Sequence, residues 1–243
     1  MKVINKIHNR PPTPKQKTTI DKITSFFENG TTRIHYDYAE NLKDGRGITC
    51  GRSGFCTGTG DAYLVVKKYS ERQPKNMLAK FLPELERLNS TIDSSNISGL
   101  RGFISAWRKC SKDELFCTVQ DEINDELYFN PARSYARKLR LKTAIARAIL
   151  YDTIIQHGDG DDADSIAALI DRAGEVTDET TWLKNFLKVR RMDLLNPANL
   201  ETAKVWRESV ERVDALQSIL SSGNLELELP LQVECFGKKT TIR

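Results

Sequence analysis

Between Glu40 and Asp61 the chain reads ENLKDGRGITCGRSGFCTGTGD, six glycines and three acids in 22 residues. Glycine loses more backbone freedom in a helix than any other residue, so no helix is expected to cross this stretch. Residues 32–58 lack helical periodicity, and the alternation of Ile34, Tyr36 and Tyr38 ahead of the glycines predicts a short irregular β segment. The rest of the chain is patterned mostly for helices. The expected fold class is therefore mainly α with a small β region inserted early.

Ile20, Ile23 and Phe27 share one face of a first helix that should stop near Asn29-Gly30, after an extended arm closed by Pro11, Pro12 and Pro14. Helices are predicted over 61–70, 76–88, 101–109 and 112–127. The longest pattern covers 132–157, with Leu141, Ile145, Ala148, Asp152 and Ile155 on one stripe and Gly158 as its end. Further helices fit 163–173, 179–195 and 199–220. The tail NLELELPLQVECF alternates but carries Pro230, which predicts an edge strand or extended segment.

The 243 residues suffice for one large domain or two small lobes with a sizeable core. Composition, with 39% hydrophobic and 29% charged residues, is that of a globular protein. No apolar run approaches the length of a membrane span. The segment MKVINKIHNRPPTPKQKTT lacks the apolar core of a signal peptide, leaving an intracellular chain, a removed leader or another export route. Five cysteines are too few for a disulfide scaffold, and three histidines without a CxxC make a zinc site an unfavoured reading. The net charge of +4 permits nucleic-acid binding without arguing for it.

Three charges fall on apolar stripes. Asp152 occupies a core position, Arg190 follows Trp182 and Phe186 at helical spacing, and Arg212 lies between Val205 and Leu216. Each would be costly to bury alone. Either they meet, with Asp152 between two guanidiniums, or each reaches to solvent along its stem.

Two acids stand out towards the front. Glu28 ends the first helix after Phe26 and Phe27, where the negative end of the helix dipole and the apolar neighbours both disfavour a negative charge and so suit a proton donor. The plainer reading is a solvated terminal Glu. Asp44 sits in Lys43-Asp44-Gly45-Arg46-Gly47, either a simple turn residue or a carboxylate held on a β turn facing Glu28. Two carboxylates in different environments are what glycoside hydrolysis requires. Phosphate-binding loops fail on detail: Gly45-x-Gly47 is followed by Cys50, Gly58-x-Gly60 by Tyr63, and no Gly-Lys-Ser/Thr occurs. HGDGDDAD looks like a calcium loop but has Ile170 where the closing Glu belongs.

FENGT followed by YAENLKDGRGITCGRSGFCTGTGD resembles the N-terminal signature of the family 46 glycoside hydrolases, the chitosanases. The resemblance continues in order through NMLAKFLPELERLN, DELYFNPA, LYDTIIQHGDG, DETTWLKNFLKVRR and RVDALQSILSSGNLELELPL, covering residues from about 20 to 232. It implies a two-lobed, lysozyme-like fold with a cleft between lobes. The smaller lobe would take residues from about 30 to 130, the helix over 132–157 would join the lobes, and the larger lobe would take 1–29 and about 140–243.

The resemblance also implies an endo-acting, inverting hydrolase of β-1,4-linked glucosamine polymers. Glu28 would protonate the leaving oxygen, Asp44 would activate water and Thr49 would help hold it. Tyr38, Glu40, Arg46 and Asp61 would lie near substrate or support the base, and Asp152, Arg190 and Arg212 would form a buried network behind the cleft. No metal or organic cofactor is implied. The partner is chitosan polymer or its oligomers, with no nucleic acid and no membrane, and the chain is expected to act as an extracellular monomer. Glu40 and Asp61 would place negative charge near a polymer of protonated amines. A net charge of +4 gives no long-range attraction to such a polymer, so the local field would decide binding. Asp159, Asp161, Asp162 and Asp164 either add to that field or form a solvated loop with a helix cap.

Other readings remain at this point. A muramidase-like hydrolase of peptidoglycan is disfavoured by the acids, because that polymer is not polycationic. A non-catalytic polysaccharide-binding relative is disfavoured by the joint presence of Glu28, Asp44 and Thr49. A basic nucleic-acid binder would show steep salt dependence but has no recognition motif here.

Overall fold

The computed structural model describes residues 11–91, 96–198 and 203–243, and the elements are numbered along these. The chain forms two compact units, one from Met1–Arg33 with Tyr128–Arg243, the other from Ile34–Leu127. Helices dominate both, and the small sheets are antiparallel.

The first unit is built on α1 (Pro14–Asn29), α6 (Asn130–Lys138), α7 (Ala144–His157), α8 (Ile166–Ala173), α9 (Glu179–Leu195), α10 (Ala203–Glu208), α11 (Val210–Ser221) and the hairpin of β4 (Leu231–Cys235) and β5 (Lys238–Ile242). Helix α1 starts with a capping box in which Thr13 accepts from the Gln16 amide and the Gln16 side chain accepts from the Thr13 amide. It ends at Gly30, in the left-handed region at φ 67°. Helix α7 is the unit's axis: 12 of its 14 residues are buried, so it needs cover on every side and finds it in α1, α6, α8 and α11. The inward residues of β4, Leu231, Val233 and Cys235, join the same core.

The expected single helix over 132–157 is two. Helix α6 closes at Arg140, which takes a positive φ of 57°, and Leu141 N–H bonds back to Ala136 O at 2.8 Å. Thr143 then caps α7. The Glu179 carboxylate holds the break open by accepting from the Lys142 and Thr143 amides and the Thr143 hydroxyl. Both helices lie wholly within the first unit, and the chain passes between units at residues 33–34 and again at 127–128, the second time inside a π-helical turn over Asp125–Phe129.

The helix expected over 199–220 is likewise interrupted, at Ser209 between α10 and α11; its first residues, 199–202, lie outside the described residues, as does the start of the N-terminal arm. β5 was not anticipated. Its lysines and threonines are exposed or partly so, and only Ile242 is buried.

The second unit carries β1 (Ala39–Asn41), β2 (Ile48–Cys50) and β3 (Phe55–Cys56), with α2 (Asp61–Arg72), α3 (Leu82–Asn89), α4 (Phe103–Cys110) and α5 (Glu114–Asn124). The strands form one antiparallel sheet in the order β1-β2-β3. The strand begins at Ala39, just past the Ile34–Tyr38 alternation, and the Tyr36 carbonyl instead accepts from Trp107 Nε1 at 2.9 Å. Trp107 is fully buried and joins Phe103 and Phe116 in an aromatic chain with centroids 5.8 and 4.9 Å away.

Two of the glycines are required by these neighbours. At Gly51, φ is 72° and a Cβ would sit 2.4 Å from Gln120 Oε1 and 2.8 Å from the Trp107 ring. At Gly47, φ is 80° and a Cβ would sit 2.3 Å from Thr57 Oγ1, which accepts from the Ile48 amide. The glycines thus let a very short sheet fold against its own core. Among the described residues no helix is long and apolar enough to cross a membrane.

Candidate active site

In the first unit, the last turn of α1 presents Glu28 with a side-chain exposure of 39%. Its Oε1 accepts from Arg212 Nη1 at 2.6 Å. Arg212 uses its other terminal nitrogen on Asp152 Oδ1, also at 2.6 Å, and its guanidinium lies 5.7 Å from the Phe27 ring centroid. Asp152, fully buried, accepts at Oδ2 from Arg190 Nη2 at 2.8 Å. The same Arg190 nitrogen reaches Gln156 Oε1 at 2.6 Å. Helices α1, α7, α9 and α11 therefore bring Glu28, Arg212, Asp152 and Arg190 into one continuous network.

The three charges from apolar stripes do meet. Burial would push the Asp152 carboxyl up, but Arg212 and Arg190 together override it and hold it below the usual carboxylate range. Glu28 is not in the apolar setting suggested by Phe26 and Phe27. A guanidinium faces it, and both phenylalanines are buried beneath it. Arg212 and Gln156 as neighbours of the front acid and of the network carry no sequence signal, since the first lies 184 residues from Glu28.

In the second unit, Asp44 sits on the turn between β1 and β2. Arg46 clamps it, donating its amide to Oδ1 at 3.1 Å and Nε and Nη2 to Oδ2 at 3.0 and 2.7 Å. These bonds hold the Asp44 carboxyl below its ordinary value. Thr49 lies buried on β2, opposite Glu40 of β1 and Cys56 of β3, with its hydroxyl 3.5 Å from Cys56 Sγ. Asp61 opens α2, bonds the Thr59 hydroxyl, and is pushed up by burial. Tyr38 donates to Glu40 Oε2 at 3.4 Å; burial and then Glu40 push its phenol up. Tyr38, Glu40, Asp44, Arg46, Thr49 and Asp61 thus all lie on the small sheet or on the segments that adjoin it.

The acidic run after His157 is tied into the first unit. Asp159 accepts from Tyr135 Oη at 2.6 Å, Asp164 accepts from the Ala198 amide, and Ser165 caps α8. Burial drives His157 down to about 3, so its ring is neutral, with Nδ1 2.9 Å from Asp164 O. All five cysteines are free thiols. Among the described residues no three acids, histidines or cysteines gather in a group suited to a metal ion.

A model of glycosyl hydrolase family 46 matches residues 22–231. A chitosanase of Bacillus subtilis (strain 168) is 51% identical over 226 residues, which span 90% of this chain and 81% of that protein. The crystal structure of native chitosanase from Bacillus subtilis MY002 matches with a TM-score of 0.87 and 48% identity, over 96% of this chain and all of that one. A Gynuella sunshinyii chitosanase of the same family, solved in complex with chitotetraose, matches with a TM-score of 0.86 and 42% identity, over 96% and 99% of the two chains. This chain belongs to glycosyl hydrolase family 46.

Proposed function

We propose that this chain is a chitosanase that cleaves β-1,4 linkages between glucosamine residues inside the polymer, with inversion at the anomeric carbon. It acts as a monomer, with Glu28 as general acid and Asp44 as general base. The observation that carries the reading is the unequal treatment of the two carboxylates. Arg46 holds Asp44 as an anion with three hydrogen bonds, ready to accept a proton. Glu28 faces an arginine whose charge is already shared with Asp152, so it does not meet an undivided cation. The relatives named as chitosanases, one of them solved with chitotetraose, support the substrate class.

In this mechanism Asp44 takes a proton from water as the water oxygen attacks the anomeric carbon. Glu28 gives its proton to the leaving oxygen as the glycosidic C–O bond breaks. Thr49 helps position the water; Tyr38, Glu40, Arg46 and Asp61 contact the sugar or steady the base. Inverting pairs leave room for that water, with carboxyl groups about 6.5–9.5 Å apart against about 5–5.5 Å for retaining pairs. The first product released should therefore be the α-anomer, followed by NMR during early hydrolysis. A β-anomer, or a glycosyl adduct trapped on Asp44, would overturn the mechanism.

A second expectation concerns pH. Asp44 works as an anion and Arg46 depresses its pKa, so activity persists as pH falls until Asp44 protonates. Arg46→Gln removes that support, and the acidic limb of the kcat/KM profile should move to higher pH. An unmoved limb would separate Asp44 from the base role.

A further inference from the structure

The family match ends at residue 231, the first residue of β4, so the rest of the C-terminal hairpin stands outside it. Cys235 pairs with Lys238, leaving Phe236-Gly237 as a two-residue loop with φ of 52° and 66°. Both values are positive, as in the type I′ turn, where Asn-Gly is the favoured pair. A phenylalanine held there is an outlier, and local strain of this kind collects where a side chain serves a ligand. Its side chain is not tucked away: Phe236 is 41% exposed.

The hairpin is tied to the two helices whose residues Glu28 and Arg212 form an ion pair. Glu211 accepts from the Phe236 amide, and the next residue, Arg212, donates to Glu28. On the other strand, Lys238 Nζ lies 2.5 Å from where a Gly30 Cβ would be, against the end of α1 and two residues from Glu28. The hairpin also borders a groove of about 410 Å³ whose lining includes Ser218, Gln232, Glu234, Lys239, Thr240 and Thr241. That volume falls within the range of about 300–1,000 Å³ usual for small-molecule sites. The lining is rich in hydroxyl and amide groups, and it holds one carboxylate, Glu234, 2.9 Å from Lys239.

We propose that the β4–β5 hairpin is a sugar-binding element, with the Phe236 ring stacking on one glucosamine unit and the groove, which Phe236 does not line, receiving the hydroxyls of a neighbouring unit. The proposal rests on the reading of the chain as a chitosanase and extends it to the C-terminal hairpin and its loop. An aromatic face suits this ligand twice over. It meets the weakly positive C–H face of the sugar, and it attracts a protonated amine. Glu234 shares its charge with Lys239, so the groove would meet the sugar through its hydroxyl and amide oxygens.

The test uses Phe236→Asn and Phe236→Trp, each in the wild-type and in a Glu28→Gln background. Binding of glucosamine hexamer to the Glu28→Gln proteins is followed by calorimetry, and hydrolysis and melting are measured on the others. Phe236→Asn should weaken hexamer binding and raise KM by about three- to tenfold, with kcat unchanged. Its melting temperature should stay level or rise, because Asn suits a positive φ. Phe236→Trp should keep binding near wild type. A merely structural role would instead lower the melting temperature with the affinity and gain nothing from Trp, and that result would overturn the proposal. Wild-type hydrolysis with no change in binding or KM for Phe236→Asn would overturn it while leaving the chitosanase reading intact. Hexamer binding that weakens in Phe236→Asn, in a protein that does not hydrolyse the hexamer, would do the reverse. A protein that neither binds nor hydrolyses the hexamer would overturn both.

Discussion

Glu28→Gln and Asp44→Asn are each expected to lower chitosan hydrolysis by about 10²–10⁴-fold, the usual weight of a general acid or base. Both changes preserve shape, so melting temperatures should stay close to wild type. Glutamine can still accept from Arg212 through its amide oxygen, leaving the 2.6 Å contact to a neutral partner. Asparagine can likewise accept from Arg46, but it cannot take a proton from water. The two losses should differ in one respect. A substrate with a good leaving group, such as an aryl glycoside of a glucosamine oligomer, needs no proton on the departing oxygen. It should recover much of the activity of Glu28→Gln and little of that of Asp44→Asn. Near-wild-type turnover of chitosan by either variant would remove that residue from the mechanism, and equal rescue of both would break the division of roles.

The periodicity of the chain was enough to place α9 over 179–195 and to point Asp152, Arg190 and Arg212 inward. It works where a helix has an apolar face and a side-chain cap, as at Asp178, which accepts from the Thr181 amide. The break after Lys138 was not legible, because no glycine or proline marks it. Arg140 takes the left-handed conformation there, and the stabilising contact comes from Glu179, 36 residues past Thr143. The hairpin turn was hidden for a similar reason: Phe236-Gly237 lacks the usual Asn at its first position, and β5 is too polar to alternate clearly. At the site, pattern could place Glu28 on a helix end and Asp44 on a turn, but it could not supply the arginine that Glu28 meets. Arg46 is local to Asp44 and follows from an aspartate accepting from an amide two residues on. Arg212 reaches Glu28 only through tertiary packing, and sequence spacing carries no trace of that.

Asp152→Ala should be among the most destabilising single substitutions in this chain, and far more so than Asp214→Ala. Asp152 has no solvent exposure and holds Arg190 at 2.8 Å and Arg212 at 2.6 Å. Its removal leaves two inward guanidiniums without their shared counter-charge, a loss of about 3–5 kcal/mol for a broken buried pair. At about 2–4 °C per kcal/mol for 150–250 residues, the melting point should fall by about 6–20 °C. Asp214 pairs with Arg191 at 2.8 Å but is 51% exposed, and surface pairs contribute about 0–1 kcal/mol. The pH dependence has a definite sign. The Asp152 carboxyl is held below its ordinary value, so its contribution is present above the unfolded pKa of about 3.9 and is lost as pH falls through the folded value. Asp152→Ala should therefore lose stability at neutral pH and converge with wild type in strong acid. Activity should fall as well, because Arg212, released from Asp152, would no longer be held in the geometry that positions Glu28. A melting point unchanged at neutral pH would mean that the two arginines do not depend on Asp152, and the network would lose its claim to position the acid.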